Sequence, residues 1–476
     1  MKKILVITLL IGAANFMSAQ SNKYKIDVTI KGLKDTTVIL AIHGGETKYA
    51  VDTARLDQNG KGSFAKPRSL DGGMYFLVLN GAALFDFLIS GDDYDNFGII
   101  TDKDDFSKIE FVNSPENDAM LAYLDYRTQH QLNYEKMIEK FTSSAENSDE
   151  QKELRKQLMT FNNPLIAFTD SLADKHKGKV LATIVRALSP LVEPELNLPD
   201  DDPDRERKIA MHYYLFNKEH FFDNVDFSDE RILRTPFFIP TIFDHYLKNI
   251  LIFKESDSII PCIDKIMSRI PEGSRVYRYL LSHIFNFYQK STTMGHEEIV
   301  IYMGENYYLT PKVHWETEEF QKNLLDYIQK NKPTLIGKTS PDLLLPTSDG
   351  RRYESIHGLT ANYTVLFFYD TDCGHCKEEI PIMKEIYNKY KNELGLEIYA
   401  VYIQTDEKKW LDFISANNLE WINVWDPYRT GNIYNTFNTV TTPQIYLLDK
   451  DKKILARRLD AANLDKLLQI LLSRNF

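Results

Sequence analysis

Tyr363-Thr-Val-Leu-Phe-Phe-Tyr-Asp-Thr-Asp-Cys-Gly-His-Cys376 is an apolar run, rich in β-branched and aromatic residues, that ends in a Cys-x-x-Cys pair. Tyr363 to Tyr369 has the composition of a buried strand, and Ile380, Met383, Ile386, Tyr390 and Leu394 then recur at helical spacing. The two thiols therefore sit where a strand turns into a helix. A cysteine at a helix N-terminus faces unpaired backbone N–H groups and the positive end of the helix dipole, which stabilise its thiolate. Cys373 is accordingly the expected nucleophile. Cys376, one turn later on the same side, is the expected resolving thiol, able to close a disulfide or to attack a mixed disulfide at Cys373.

Other uses of the pair fit less well. Zinc needs two further ligands, yet there is no second Cys-x-x-Cys, and Cys262 lies far upstream within the apolar Ile259-Ile-Pro-Cys-Ile263, where it reads as a small buried hydrophobe. Covalent haem attachment needs a histidine directly after the second cysteine, where Lys377 stands. An inert staple is disfavoured because so short a loop strains the bond. The reading calls for no metal and no cofactor.

Working outward, 476 residues with a 43% hydrophobic fraction imply two or three packed domains. Lys2 and Lys3, the apolar run Ile4 to Phe16, and Met17-Ser18-Ala19-Gln20 read as a cleavable export signal over residues 1–20. Its apolar core of about thirteen residues is short of the roughly twenty that span a bilayer, and no later segment approaches that length. No lipoprotein cysteine follows the signal. The expected location is the periplasm, an oxidising compartment in which the single close thiol pair is free to cycle. The net charge of −11 becomes more negative by two when Lys2 and Lys3 leave, which disfavours nucleic acid and anionic membrane surfaces as partners.

Residues 21–112 read as a small β-domain. Tyr24 to Ile30 alternates, while Val38 to Ile42 and Met74 to Leu79 are continuous apolar runs. Asp57-Gln-Asn59-Gly60 reads as a two-residue hairpin turn rather than a calcium loop, and Gly44-Gly45 as a turn rather than a phosphate loop. Residues 113–334 read as helical, with amphipathic stretches near 116–143, 149–176, 205–220, 256–270, 273–291 and 314–330. The acidic run Asp200-Asp201-Asp202-Pro203-Asp204 reads as a solvated loop that leads into a helix, and His212 and His220 are wrongly spaced for a metal pair. Lys332-Pro333 and Gly337 mark the entry to a third domain, 335–476, where strands and helices alternate: strand 363–369, helix 374–394, strand 397–403, helix 407–418, strands 443–448 and 453–458, and helix 461–473.

With these motifs in place, the last third resembles the TlpA/ResA-like group of thioredoxin-fold, exported thiol-disulfide oxidoreductases. Gly337-Lys-Thr-Ser-Pro341-Asp342-Leu-Leu-Leu345 with Asp349-Gly350 resembles the family's opening hairpin, and Pro381 sits where its active-site helix carries a kink-forming proline. Val440-Thr441-Thr442-Pro443 resembles its cis-proline loop, which implies that Thr442 and Pro443 pack against the dithiol and that the backbone there pairs with extended substrate. The family match also gives Glu379 a role, as a carboxylate that exchanges a proton with Cys376; by itself it would read as an exposed helix residue. Asp372 replaces the usual tryptophan before the first cysteine and opposes thiolate formation, whereas His375 favours it. The buried aspartate of cytoplasmic thioredoxins is absent, Phe367 occupying its place.

The resemblance implies a multidomain protein with an N-terminal all-β sandwich-like domain, an all-α middle and a C-terminal α/β thioredoxin fold. It implies exchange with protein thiols and disulfides of the cell envelope and a membrane or periplasmic electron donor or acceptor, with either reductase or oxidase/isomerase direction. The competing readings are a peroxiredoxin-like peroxidase, which shares the fold but not the residues before the peroxidatic cysteine, and an envelope scaffold whose thioredoxin domain only docks a partner.

Overall fold

The computed structural model describes residues 23–474 apart from 92–94, 146–147, 195, 197, 200–201 and 252–254. The expected export signal, residues 1–20, and two aspartates of the acidic run therefore lie outside the described residues. The chain forms two compact units, one ending at Ile252 and the other starting at Phe253, so the helices of the expected middle segment are divided between them.

In the first unit, the alternation of Tyr24, Ile26, Val28 and Ile30 turns one side of a strand wholly inward. Two four-stranded sheets result. One runs Lys61–Lys66, Tyr24–Lys31, Asp95–Asp102, Asp105–Val112, and the other Thr47–Arg55, Thr37–Gly44, Gly73–Leu79, Ala82–Ile89. They share a core that includes Val28, Leu40, Phe64, Leu77, Phe87 and Phe97, which is a β-sandwich. The Asp57–Gly60 turn forms, with Asp57 Oδ1 accepting from Asn59 N at 2.7 Å and Lys61 N at 2.9 Å. It is not a hairpin, however: the strands it joins belong to different sheets, so it turns the corner of the sandwich. The helix Pro115–Ser143 covers the edge strand Ala82–Ile89, where the Asn117 amide accepts from Leu88 N (2.6 Å) and donates to Leu88 O (2.9 Å) as a neighbouring strand would. The expected helix 149–176 is two, Asp149–Thr160 and Asn163–Lys175, broken where Pro164 starts the second.

The second unit begins with helices Ser256–Ser268, Arg275–Gln289, His296–Met303 and Glu318–Asn331. A five-stranded sheet follows, in the order Ile422–Trp425, Leu396–Tyr402, Tyr363–Tyr369, Gln444–Leu448, Ile454–Arg457; the first three strands are parallel, Gln444–Leu448 is antiparallel to them, and Ile454–Arg457, antiparallel to Gln444–Leu448, runs in their direction again. The central strand is buried on both faces, as its unbroken apolar text requires. Val365, Phe367 and Tyr369 pack with the helices Gly374–Glu393 and Ala461–Arg474, while Leu366 and Phe368 pack with Leu343, Ile356, Ile433 and Phe437 on the other face. Burying each such aromatic side chain contributes about 1.5–3 kcal/mol. The opening hairpin is present as Leu344–Pro346 against Tyr353–Ser355.

Candidate active site

The central strand ends at Tyr369, and Asp370 to Asp372 carry the chain over the sheet edge to Cys373, which caps the following helix. Cys373 is extended (φ −72°, ψ 120°), its backbone N–H donates to Asp370 O at 3.2 Å, and its sulfur accepts from Cys376 N at 3.4 Å. On its other side lies the Thr442 carbonyl, 3.2 Å from Cys373 Sγ, just before the cis peptide bond Thr442–Pro443. Both cysteines are free thiols, Cys373 partly exposed and Cys376 fully buried.

The two thiols are pushed apart electrostatically. Burial alone would raise Cys373, but hydrogen bonds from the Cys376 thiol, the Thr442 side chain and the backbone N–H groups of Cys376 and His375 outweigh it and hold Cys373 below the ordinary thiol range. Cys376 goes the other way: burial, then its bond to Cys373, push it up to about 12. One sulfur is thus set up as a reachable thiolate and its neighbour as a protonated thiol.

The surrounding residues divide. Thr442 meets the dithiol, and Pro443 follows it across the cis peptide bond. Asp372 is 69% exposed and is held by Lys409, whose Nζ lies 2.5 Å from both carboxylate oxygens; that bond holds the Asp372 carboxyl below its usual range and raises Lys409. The His375 ring is 84% exposed with Nδ1 3.4 Å from Glu378 Oε2, so what His375 offers Cys373 comes through its backbone N–H. Glu379 Oε2 accepts from Ala461 N at 2.6 Å, at the start of the last helix. Cys262 is buried on its own helix, with Sγ 3.3 Å from Ser258 O.

Lys409 was not anticipated, since it follows Asp372 by 37 positions and nothing local links them. The same applies to Gln404, whose Nε2 donates to Asp370 Oδ2 at 2.8 Å, and to Trp410, whose indole N–H donates to Tyr369 OH at 2.8 Å beneath the site. Among the described residues no cluster of side chains could hold a metal ion, and no helix is long and apolar enough to cross a membrane.

With this geometry in view, comparison with known proteins is direct. The AhpC/TSA family matches residues 336–457, and a domain of unknown function (DUF5106) matches residues 206–331. The thiol-disulfide oxidoreductase ResA of Bacillus cereus is 30% identical over 129 residues, which cover 27% of this chain and 72% of that protein. A solved domain of a possible thiol-disulfide isomerase from Cytophaga hutchinsonii is 35% identical, covering 30% of this chain and 99% of that one with a TM-score of 0.28. A thioredoxin-like protein from Bacteroides caccae is 21% identical, covering 58% of this chain and 97% of that one with a TM-score of 0.45. The identity to ResA runs through most of that protein's length, and through its C-terminal domain the chain belongs to the ResA-like thioredoxin-fold thiol-disulfide oxidoreductases.

Proposed function

We propose that the protein is exported and exchanges disulfides with cell-envelope proteins through Cys373 and Cys376, with residues 335–476 carrying the chemistry. The Cys373 thiolate attacks a client disulfide, forming a mixed disulfide and releasing one client cysteine as a thiolate that takes up a proton. Cys376 loses its proton and attacks Cys373 Sγ, which releases the second client thiolate and leaves the Cys373–Cys376 disulfide. The client is reduced by two electrons and the enzyme oxidised by two, so a membrane or periplasmic dithiol donor must return them. The reverse sequence oxidises a client.

The observation that carries this reading is the opposed tuning of two adjacent thiols, Cys373 lowered and partly exposed, Cys376 raised and buried. Thr442 and Pro443 form the wall against which the client cysteine is presented. Glu379 is the proton acceptor for Cys376, while Asp372 and His375 adjust the thiolate.

Redox titration in glutathione buffers tests the proposal, with Cys376→Ser run alongside to trap mixed disulfides. A reversible two-electron transition and trapped envelope clients are expected. A midpoint near or below about −250 mV assigns the reductase direction and one near or above about −180 mV the oxidase or isomerase direction. Absence of any reversible transition overturns it, and peroxide turnover well above that of a free thiol assigns the chemistry to a peroxidase instead.

A further inference from the structure

Asn331, the last residue of the helix Glu318–Asn331, is wholly buried although it lies before the thioredoxin domain begins. Its Nδ2 donates to Tyr327 O at 2.8 Å, and its Oδ1 accepts from Asn438 Nδ2 at 3.3 Å and from Arg457 Nη2 at 3.1 Å. Arg457, 2% exposed, also donates through Nη1 to Asn331 O (3.3 Å) and Thr334 O (3.1 Å). A buried amide bonded through both its oxygen and its nitrogen fixes the groups around it, because any displacement leaves a desolvated donor or acceptor.

Asn438 is the informative partner. It sits in the left-handed region (φ 50°) at the end of the short helix Ile433–Phe437, and its carbonyl accepts from Gln444 Nε2 at 2.6 Å. That bond closes the base of the loop Thr439 to Pro443, whose Thr442 carbonyl lies against Cys373 Sγ. Gln444 is steadied in turn by Tyr446, whose hydroxyl lies 3.1 Å from Gln444 Oε1 and from Phe437 O. Lys330, next to Asn331, lies over the Tyr434 ring at 4.7 Å, so the short helix is gripped at a second point. A continuous path therefore runs from Asn331 through Asn438 and Gln444 to the acceptor beside the nucleophile.

We propose that Asn331 is a positioning residue for the dithiol: through Asn438 and Gln444 the helical segment holds the Thr439 to Pro443 loop against Cys373, where the client docks. This rests on the reading of Cys373 as nucleophile. Loosening the loop withdraws the Thr442 side chain, whose hydrogen bond helps hold Cys373 below the ordinary thiol range, so the thiol titrates at higher pH and client turnover falls, while the dithiol itself stays intact.

The test uses the full reduced chain, with iodoacetamide alkylation followed against pH and turnover measured on a disulfide-bonded peptide. Asn331→Ala and Asn438→Gly are compared singly and together; glycine keeps the left-handed backbone at 438, so that variant tests the path even if Asn331→Ala fails to fold. The expected result is an upward shift of the Cys373 profile in each single variant, no further shift in the double variant, and peptide turnover down at least about fivefold. Profiles and turnover that superimpose on the native protein, whatever happens to the melting temperature, would make the network a strut and overturn the proposal. Shifts that add in the double variant overturn it as well, since the two residues would then act separately. A native protein with no low-titrating thiol would instead defeat the nucleophile assignment, a failure visible before any variant is made.

Discussion

Lys409 closes on Asp372 with its Nζ 2.5 Å from both carboxylate oxygens, directly beside the N-capping Cys373. A carboxylate at that place opposes a neighbouring thiolate, and the ammonium cancels it. Lys409→Met is expected to raise the Cys373 alkylation midpoint and to slow alkylation at neutral pH by less than about tenfold, because an exposed pair is screened by solvent. Asp372→Asn in the same chain restores the native rate, and raising the salt concentration narrows the gap between native protein and single variant. Iodoacetamide kinetics across pH check all three.

The split between the thiols fixes how the potential responds to pH. Because Cys373 is depressed in the folded protein, the stabilisation of the reduced form is fully present above the ordinary thiol pKa and is lost as pH falls from there through the lowered pKa of Cys373. Cys376, pushed up to about 12, keeps its proton throughout the working range. The midpoint is expected to fall by about 59 mV per pH unit below the Cys373 pKa, where two protons accompany two electrons, and by about 30 mV per unit above it, where one does. The break lies below the ordinary thiol value of about 8.5. A titration series from mildly acid to mildly alkaline pH locates it, and a single steep line through that range would contradict the assignment.

How much of this was legible in the sequence depended on whether a feature is local. The strand Tyr363–Tyr369, the dithiol turn and the helix Gly374–Glu393 announce themselves by apolar composition and helical spacing, and the structure has them within a residue of expectation. The four-residue strand Ile422–Trp425 and the five-residue helix Ile433–Phe437 are too short to show a period, and both went unread. The Asp57–Gly60 turn has hairpin chemistry, yet the choice of sheet for the next strand is made by Ile26 and Val28 pairing opposite Phe64 and Gly62, well outside the turn. At the site, the cysteines and Thr442-Pro443 carried their own signal. The partner that sets the charge of Asp372, Lys409, lies 37 positions away and is brought to it by the fold, which no spacing rule encodes.

Glu379 separates a structural from a chemical role. Its carboxylate accepts from Ala461 N at the head of the terminal helix, where an anion contributes about 0.3–1 kcal/mol through the helix dipole. Glu379→Gln keeps an acceptor and loses the charge, so stability is expected to fall by no more than about 1 kcal/mol. If the carboxylate also takes the Cys376 proton, release of the mixed disulfide slows at least about tenfold at neutral pH and recovers as pH rises. Stopped-flow resolution of a preformed mixed disulfide distinguishes the roles: a lowered melting temperature with unchanged release leaves only the helix cap.

The floor of the site rests on one buried hydrogen bond. Trp410 Nε1 donates to Tyr369 OH at 2.8 Å, with both side chains essentially sealed from solvent and the indole stacked between Tyr402 and Trp425 at ring-centroid distances of 5.8 and 5.3 Å. Tyr369→Phe preserves the ring and its packing but strands the indole N–H, which costs about 1–3 kcal/mol when no water reaches it. Trp410→Phe costs more, about 3 kcal/mol, since it removes volume as well as the donor. The two changes made together are expected to cost less than the sum of the singles, because each single variant leaves a polar group unpartnered and the double variant leaves none. Urea unfolding of the three variants measures this, and strict additivity would mean that the bond contributes nothing to holding the strand end from which Cys373 is presented.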